Sequence, residues 1–455
     1  MRNPASPSPG HAGRRHAPRG PKPAGRLLLA LGLLVLPAWA GASGLLDLYQ
    51  RAEEVDPNLQ RAEKQRVIAN YQEDQARSGI MPSLTGSASR SRTNEKQTTN
   101  FSGSSSTDYT QDNYSLTLTQ PLFSGGRTWI SLDIAQEGQD QATAAVSSAR
   151  QDLMMQVAQA YFDVLDGESE VNLAQREVRR VKQHLDRAQA QFDVGTGDIV
   201  GVREAEARRD QARTRLIRAR NTLRTAKQRL RRLIRRPVPE LKPVEDVTLV
   251  APDPDQPAPW VDRALEQHPQ LTQTRKQLTI DRKQAELARR ERWPQISAQA
   301  QYSKVEGGSF FTEDEQKSAS IQLQWPIYQG GAVSAKANIA ETQAAQTRLQ
   351  LDDEQENIRV NTVQAFYDWQ SAMQEVRSLR AQVRSAKTQL EAVQTGFEVG
   401  RRTSVDVLDA QQEYFSALQD LANARHRYLL SRLQLKASAG VLSMADLRSA
   451  NRQLD

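Results

Sequence analysis

The sequence predicts a mainly α-helical chain with transmembrane β-strands, laid out as two tandem copies of one unit. Three observations carry that class. First, landmarks recur at a constant spacing of 205 residues. They are Pro121-Leu122-Phe123-Ser124-Gly125-Gly126 with Pro326-Ile327-Tyr328-Gln329-Gly330-Gly331, Ala160-Tyr161-Phe162-Asp163 with Ala365-Phe366-Tyr367-Asp368, and Phe192-Asp193-Val194-Gly195 with Phe397-Glu398-Val399-Gly400. A register held over three landmarks marks duplication of a supersecondary unit. Second, within each copy the spacing of apolar residues switches between a period of two and steps of three and four, the signatures of strand and helix. Third, only 5% of the residues are aromatic and 38% hydrophobic, with a mean hydropathy of -0.67. Such a composition suits long helices packed through small residues and argues against a thick globular core.

The chain opens on a basic segment. Arg2, Arg14, Arg15, Arg19, Lys22 and Arg26 supply six positive charges with no acid among them, so the formal charge of +7 leaves the remainder nearly neutral. The apolar run Leu27 to Leu36 follows, then Pro37 and Ala38-Trp39-Ala40-Gly41-Ala42. Basic region, short apolar run and Ala-x-Ala exit describe a secretory signal peptide over residues 1–42, because a membrane-spanning helix needs about twenty apolar residues. Cleavage fits after Ala40 or Ala42. The sequence has no cysteine, which excludes disulfides, thiolate metal sites, a cysteine nucleophile and a lipidated cysteine.

The first repeat spans 43–236 and the second 260–445. Each starts with a helical stretch, about residues 45–79 and 260–292, in which Arg51-Ala52, Pro57 and Pro82 match Arg263-Ala264, Pro269 and Pro294 at an offset of 212. The later fall to 205 places seven extra residues between the strands of the first copy. The Ser-, Thr-, Asn- and Gly-rich segment 93–112 reads as a surface loop that holds them.

Strands come next. Ile296, Ala298, Ala300 and Tyr302 alternate with Ser297, Gln299 and Gln301, and Ala319, Ile321, Leu323 and Trp325 with Ser320, Gln322 and Gln324. Leu84, Gly86 and Ala88, then Tyr114, Leu116 and Leu118, repeat the pattern in the first copy. Segments of about ten residues with one apolar face match transmembrane β-strands. Tyr114, Tyr302 and Trp325 fall near the predicted strand ends, where interfacial aromatics belong. Four strands cannot close a barrel, for which about eight is the minimum, so several chains must share one; three would give twelve strands.

A Gly-Gly pair then releases each copy into a long helix ending at Val194 or Val399. Val157, Ala160, Val164, Gly167, Val171, Ala174, Val178, Val181, Leu185, Ala188 and Phe192 form a coiled-coil stripe in the first copy. The second carries its counterpart from Ile358 through Ala365, Trp369, Ala372, Val376 and Leu379 to Phe397. Gly195-Thr196-Gly197-Asp198 and Gly400-Arg401-Arg402-Thr403 are tight turns, with Asp198 or Thr403 placed to cap the returning helix. Seven prolines make 237–259 an extended connector, and 446–455 is a C-terminal tail.

Signal peptide, paired hairpins, repeat spacing and Val-Gly turns together resemble the TolC family of outer membrane efflux and secretion channels. The most specific stretch is Phe397-Glu398-Val399-Gly400-Arg401-Arg402-Thr403-Ser404-Val405-Asp406-Val407-Leu408-Asp409-Ala410. The resemblance implies a homotrimer: a twelve-stranded β-barrel in the outer membrane of a Gram-negative bacterium, continued by a twelve-helix coiled-coil α-barrel across the periplasm. It implies a periplasmic adaptor protein and an inner membrane ABC or proton-driven pump as partners, with outer membrane lipid around the barrel. It places Asp406 and Asp409 in the carboxylate ring of the periplasmic entrance and Arg402 in the ties that close it. Phe397 stands where the family has a hydrogen-bonding tyrosine, and the matching polar positions of the first repeat are Val200 and Gly201. The closing network must therefore differ, with Asp198 as a candidate substitute. Val194, Gly195, Val399 and Gly400 match the tips that meet the adaptor. Read without the resemblance, Thr403-x-x-Asp406 is equally a capping box.

Other classes fit less well. Residues 203–236 carry fourteen basic side chains against Glu204, Glu206 and Asp210, which suggests a nucleic-acid-binding coiled coil, yet a signal peptide and membrane strands speak against nucleic acid as a partner. A secreted or periplasmic coiled-coil interaction protein is the remaining alternative. No nucleophile motif, phosphate loop or metal-ligand spacing occurs, so neither enzymatic activity nor a cofactor is expected.

Overall fold

Proline divides each opening helical stretch in two. The structure, a computed structural model, describes residues 43–99, 103–308 and 312–453; the signal peptide assigned to 1–42 lies outside them. Its first repeat contains α1 (Leu45–Val55), α2 (Pro57–Ser78), β1 (Ser83–Thr99), β2 (Gly103–Phe123), α3 (Arg127–Asp193) and α4 (Ile199–Ile234). Its second contains α5 (Pro257–Gln267), α6 (Pro269–Arg289), β3 (Gln295–Gly307), β4 (Thr312–Gln324), α7 (Ala332–Glu398), α8 (Ser404–Ser438) and then α9 (Met444–Asn451). Pro57 and Pro269 each occupy a helix N-terminus, where their missing N–H costs nothing. Buried Asp56 caps α2 by accepting the N–H groups of Asn58 and Leu59 at 2.9 and 2.8 Å. Asp56→Ala is expected to cost about 1–2 kcal/mol, read as a lower denaturation midpoint of the detergent-solubilised protein.

Of the expected surface loop at 93–112, residues 93–99 and 103–112 are instead strand. β1 pairs with β2 in unbroken register from Ser83 opposite Thr119 to Thr99 opposite Gly103. Ser and Thr mark turns only when the chain has no ladder to join; here Thr has high β propensity and the strands carry their own cross-links. Arg90 donates to both carboxylate oxygens of Asp112 at 2.6 and 2.7 Å, and Arg92 to Asp108 at 2.6 Å. The extra residues of the first copy thus lengthen its hairpin. All four strands form one antiparallel sheet in the order β1-β2-β3-β4, which leaves β1 and β4 as edges.

Gly126 and Gly331 start the long helices in the left-handed region, at φ of 80° and 85°. Each helix has 67 residues, about 100 Å of rod. Each ends in the same hydrogen-bonded turn. Gly195, at φ 77°, donates to the Phe192 carbonyl and Thr196 to that of Gln191, while Gly400, at φ 75°, and Arg401 repeat the bonds to Phe397 and Gly396. The chain then returns antiparallel, α4 along α3 and α8 along α7. Buried Ala212, Ala219 and Ala226 line one seam and Ala417, Leu421, Ala424 and Tyr428 the other. Gly167 lets α3 and α4 approach, since a Cβ there would lie 3.1 Å from the Leu223 Cα.

Near the strands the helices are layered α2 on α3, α3 on α6 and α6 on α7; toward the turns α3 meets α8. The main core lies where α1, α9 and the connector wrap these rods, around Tyr49, Tyr161, Phe162, Trp260, Trp369 and Tyr428. The connector is pinned by the Val250 N–H donating to Tyr428 Oη at 2.8 Å, and by Asp246 between Arg380 at 2.6 Å and Arg425 at 3.1 Å. The segment set off as a tail includes most of α9, whose Leu447 and Ala450 are buried. Among the described residues no helix is long and apolar enough to cross a membrane.

Candidate functional site

Directly opposed residues of an antiparallel ladder share a face of the sheet. One set of rows is largely apolar: Leu84, Leu118, Ala300 and Ala319; Gly86, Leu116 and Tyr302, ending on Lys317; Ala298 and Ile321, beside Gln120; Phe123, Ile296 and Leu323. The opposite face reads Ser83, Thr119, Gln299 and Ser320; Thr85, Thr117, Gln301 and Ser318; Ser87, Ser115, Ser303 and Gln316. Leu84, Ile321 and Leu323 are 69%, 74% and 61% exposed. A largely apolar face left exposed, backed by a polar one, is how a barrel wall separates lipid from an aqueous lumen.

The apolar rows have limits. Past Gly86, Leu116 and Tyr302, the row of Ala88 and Tyr114 meets Lys304 and Glu315, and beyond it Arg90, Asp112, Glu306 and Glu313 take over. Lys304 pairs there with Glu306 at 2.7 Å and with Glu313. From Leu323 to Lys317 the band runs about 20 Å along the strand at 3.4 Å per residue. Tyr114 and Tyr302 mark one boundary, and Trp325, just beyond β4 and 59% exposed, marks the other. Tyr114 is not near a strand end as expected; it sits midway along β2, because that strand continues through the supposed loop.

A second group of aromatics escaped the sequence reading. Phe123, Trp129, Trp293 and Tyr328 are exposed around the strand-to-helix junctions. The signal for Phe123 and Tyr328 lay in the repeated Pro-Leu-Phe and Pro-Ile-Tyr motifs.

At the far turns, Val194 and Val399 are 74% and 65% exposed, and a Cβ on Gly195 or Gly400 would meet nothing within 4 Å. Phe397 is also exposed, and the Arg402 side chain lies over Gly396, where a Cβ would come within 2.9 Å of its Cγ. Asp406 forms the capping box: its carboxylate accepts the Thr403 N–H at 2.8 Å and hydroxyl at 2.9 Å, and its own N–H donates to Thr403 Oγ1 at 3.2 Å. Those bonds, the backbone one foremost, hold its carboxyl below the usual carboxylate range. Asp198 likewise caps α4, accepting the Gly201 N–H at 2.7 Å.

Asp409 stands one turn further along α8, 3.9 Å from Arg208 of α4. Both line a cavity of about 260 Å³ with Glu177, Arg180, His184 and Gln412. The Arg-rich helix α4 thus contributes Arg208 beside an acid of the other repeat, while its Arg215 holds Glu177 of α3 at 2.6 Å. Among the described residues there is no cluster of three or more potential metal ligands.

Comparison with known proteins agrees with this arrangement. The profile of the family described as outer membrane efflux protein matches residues 48–234 and 260–441. The chain is 30% identical over 428 residues to the alkaline protease secretion protein AprF of Pseudomonas aeruginosa, covering 91% of this chain and 88% of that one. It is 27% identical over 441 residues to the outer membrane protein TolC of Escherichia coli, covering 94% and 88%. Among solved structures, the Campylobacter jejuni CmeC outer membrane channel superposes with a TM-score of 0.77 at 17% identity, covering 90% of each chain. With two matched repeats, an amphipathic sheet and paired helical rods, the chain belongs to the outer membrane efflux protein family and is an outer membrane exit channel.

Proposed function

We propose that three copies assemble into one tube, a twelve-stranded barrel in the outer membrane continued by twelve helices through the periplasm, and that this tube is a passive exit duct. The observation that carries the reading is that both layers of the chain have two open edges. β1 and β4 offer unpaired backbone, which inside a bilayer costs several kcal/mol per group. The flanking helices expose apolar side chains, Val67, Ile68 and Tyr71 on α2 and Ile339, Leu349, Val360 and Tyr367 on α7. Closure by further copies satisfies both at once. Tyr114, Tyr302 and Trp325 then sit at the two membrane interfaces.

At the other end, Val194-Gly195 and Val399-Gly400 present small, exposed turns to the helical hairpin of a periplasmic adaptor. Phe397, Arg402, Asp406 and Asp409 lie at the constriction, where three copies concentrate carboxylates and favour cations. An inner membrane pump, ABC-type or proton-driven, supplies the energy, and the chain itself performs no catalysis. The relatives named for protease secretion and efflux support both a secreted protein and small toxic compounds as cargo.

Two measurements test the reading. The processed protein in mild detergent is expected to migrate as a heat-labile trimer and to form ion-conducting pores in planar bilayers; a lipid-indifferent monomer in plain buffer overturns it. Deletion of the gene is expected to abolish export of a secreted protein, to sensitise cells to toxic compounds, or both. Full retention of secretion and resistance contradicts the duct.

A further inference from the structure

We infer that a cavity at the foot of the barrel, lined by Arg282, Arg289, Arg290, Arg292 and Trp293, holds the headgroup of an anionic phospholipid of the periplasmic leaflet. The inference rests on the tube proposed above and names a lipid that its wall selects.

The cavity has a volume of about 610 Å³ and lies between α6 and α7, where the chain passes from helix into β3. Its four arginines face two acids, Glu286 and Glu341. Both acids are already engaged. Glu341 accepts from Arg289 Nε at 2.9 Å and Glu286 from Arg290 at 2.9 Å. Arg290 also lies over the Trp293 ring, 4.9 Å from its centroid. Neighbouring Glu291 is taken by Lys336 at 2.8 Å. Among the described residues, the side chains of Arg282 and Arg292 have no acceptor. Four arginines less two glutamates leave a surplus of two guanidinium groups on one cavity.

Depth places this surplus at the membrane surface. Ile296, opposite Leu323, begins the apolar band, and Trp293 precedes it by about 10 Å of extended chain. The headgroup layer is about 5–7 Å deep on each side of the hydrocarbon, and tryptophan concentrates there. Trp293 is 43% exposed.

Facing follows from α6. Arg275, Arg282 and Arg289 recur every seven residues, hence along one stripe of the helix. Arg275 donates to the carbonyls of Glu266 and Leu265 at the end of α5, so the stripe looks to the side on which α5 lies. That helix packs with the connector, its Trp260 Nε1 donating to the Pro254 carbonyl at 2.9 Å. In a tube closed by several copies the wrapping layer lies outside, because inside it would fill the lumen. The arginines therefore meet lipid headgroups and not the transported stream. A phosphate diester accepts the paired N–H groups of a guanidinium. A zwitterionic lipid also brings an ammonium, which the surplus charge repels, so a headgroup of net negative charge is preferred.

Native mass spectrometry of the whole trimer in mild detergent tests this, with phosphatidylglycerol and phosphatidylcholine as competing probes. Wild type is expected to retain phosphatidylglycerol preferentially. Substituting Arg282→Gln and Arg292→Gln is expected to weaken that retention about fivefold each, hence roughly 25-fold together. Arg384→Gln, far along α7 from the barrel, is expected to change nothing. Equal retention of both lipids by wild type, or full retention by the double variant, overturns the site. Displacement of the lipid by modest inorganic phosphate would reveal a site for free phosphate and overturns the lipid assignment. A double variant with wild-type lipid retention but altered ion selectivity in planar bilayers would place the arginines in the lumen and overturns it too. A wild-type protein that forms no trimer removes the tube itself; a normal trimer without lipid preference removes only the lipid site.

Discussion

Ile321→Arg is expected to eliminate the protein from the outer membrane, whereas Gln322→Arg, one residue along β4, is expected to leave a normal trimer. Ile321 lies inside the apolar band, opposite Ala298, and is 74% exposed in the single chain. Gln322, opposite Ser297, points to the polar face. An arginine on the lipid side near mid-membrane costs about 2–4 kcal/mol per copy, hence about 6–12 kcal/mol for a trimer, comparable to the whole stability of a typical domain. The lumen side imposes no such penalty and only alters the charge seen by passing ions. Quantifying heat-labile trimer in outer membrane fractions separates the two variants. Equal amounts of both would mean that the apolar face is covered by protein and not by lipid.

The second large effect concerns ions. Asp409→Asn is expected to reduce preference for cations, and block by multivalent cations, roughly tenfold in planar bilayers. Three of the six carboxylates assigned to the constriction disappear, while the helix cap is untouched because Asp409 makes no part of the capping box. Asp406→Asn should weaken selectivity too, but it also breaks the cap of α8. The remaining preference in Asp409→Asn then belongs to Asp406. Its folded pKa is depressed below the usual value of about 4. Both its charge and the stability it lends the cap are therefore fully present above that usual value, and are lost only as pH falls through the lower folded value. Cation preference of the Asp409→Asn channel should accordingly stay level from pH 7 down through the ordinary carboxylate range. A decline already complete at pH 5, or selectivity identical to wild type, places these carboxylates outside the constriction.

The capping-box and gate readings of Asp406 turn out not to compete. A carboxylate whose inner oxygen accepts from Thr403 remains fully charged, and a first-turn acid at an exposed helix start can face an axis while it caps. The sequence posed them as alternatives because a motif names a local bond and leaves the far side of the same group undetermined.

Element type and facing were legible in the chain alone, for they depend on neighbours in sequence. Alternation assigned Leu84, Ala300, Ile321 and their row-mates to one side, small residues at steps of three and four forecast the rods, and Gly126, Gly195, Gly331 and Gly400 marked positive-φ turns that other residues enter only with strain. Only the tertiary structure decided that 93–99 and 103–112 are strand, since polar Ser and Thr follow whichever ladder accepts their backbone. It alone put Arg208 beside Asp409 and set Arg176 and Arg180 over Phe415. Those pairs lie about two hundred residues or more apart along the chain, and their meeting is fixed by how rods pack, a property that local periodicity does not contain.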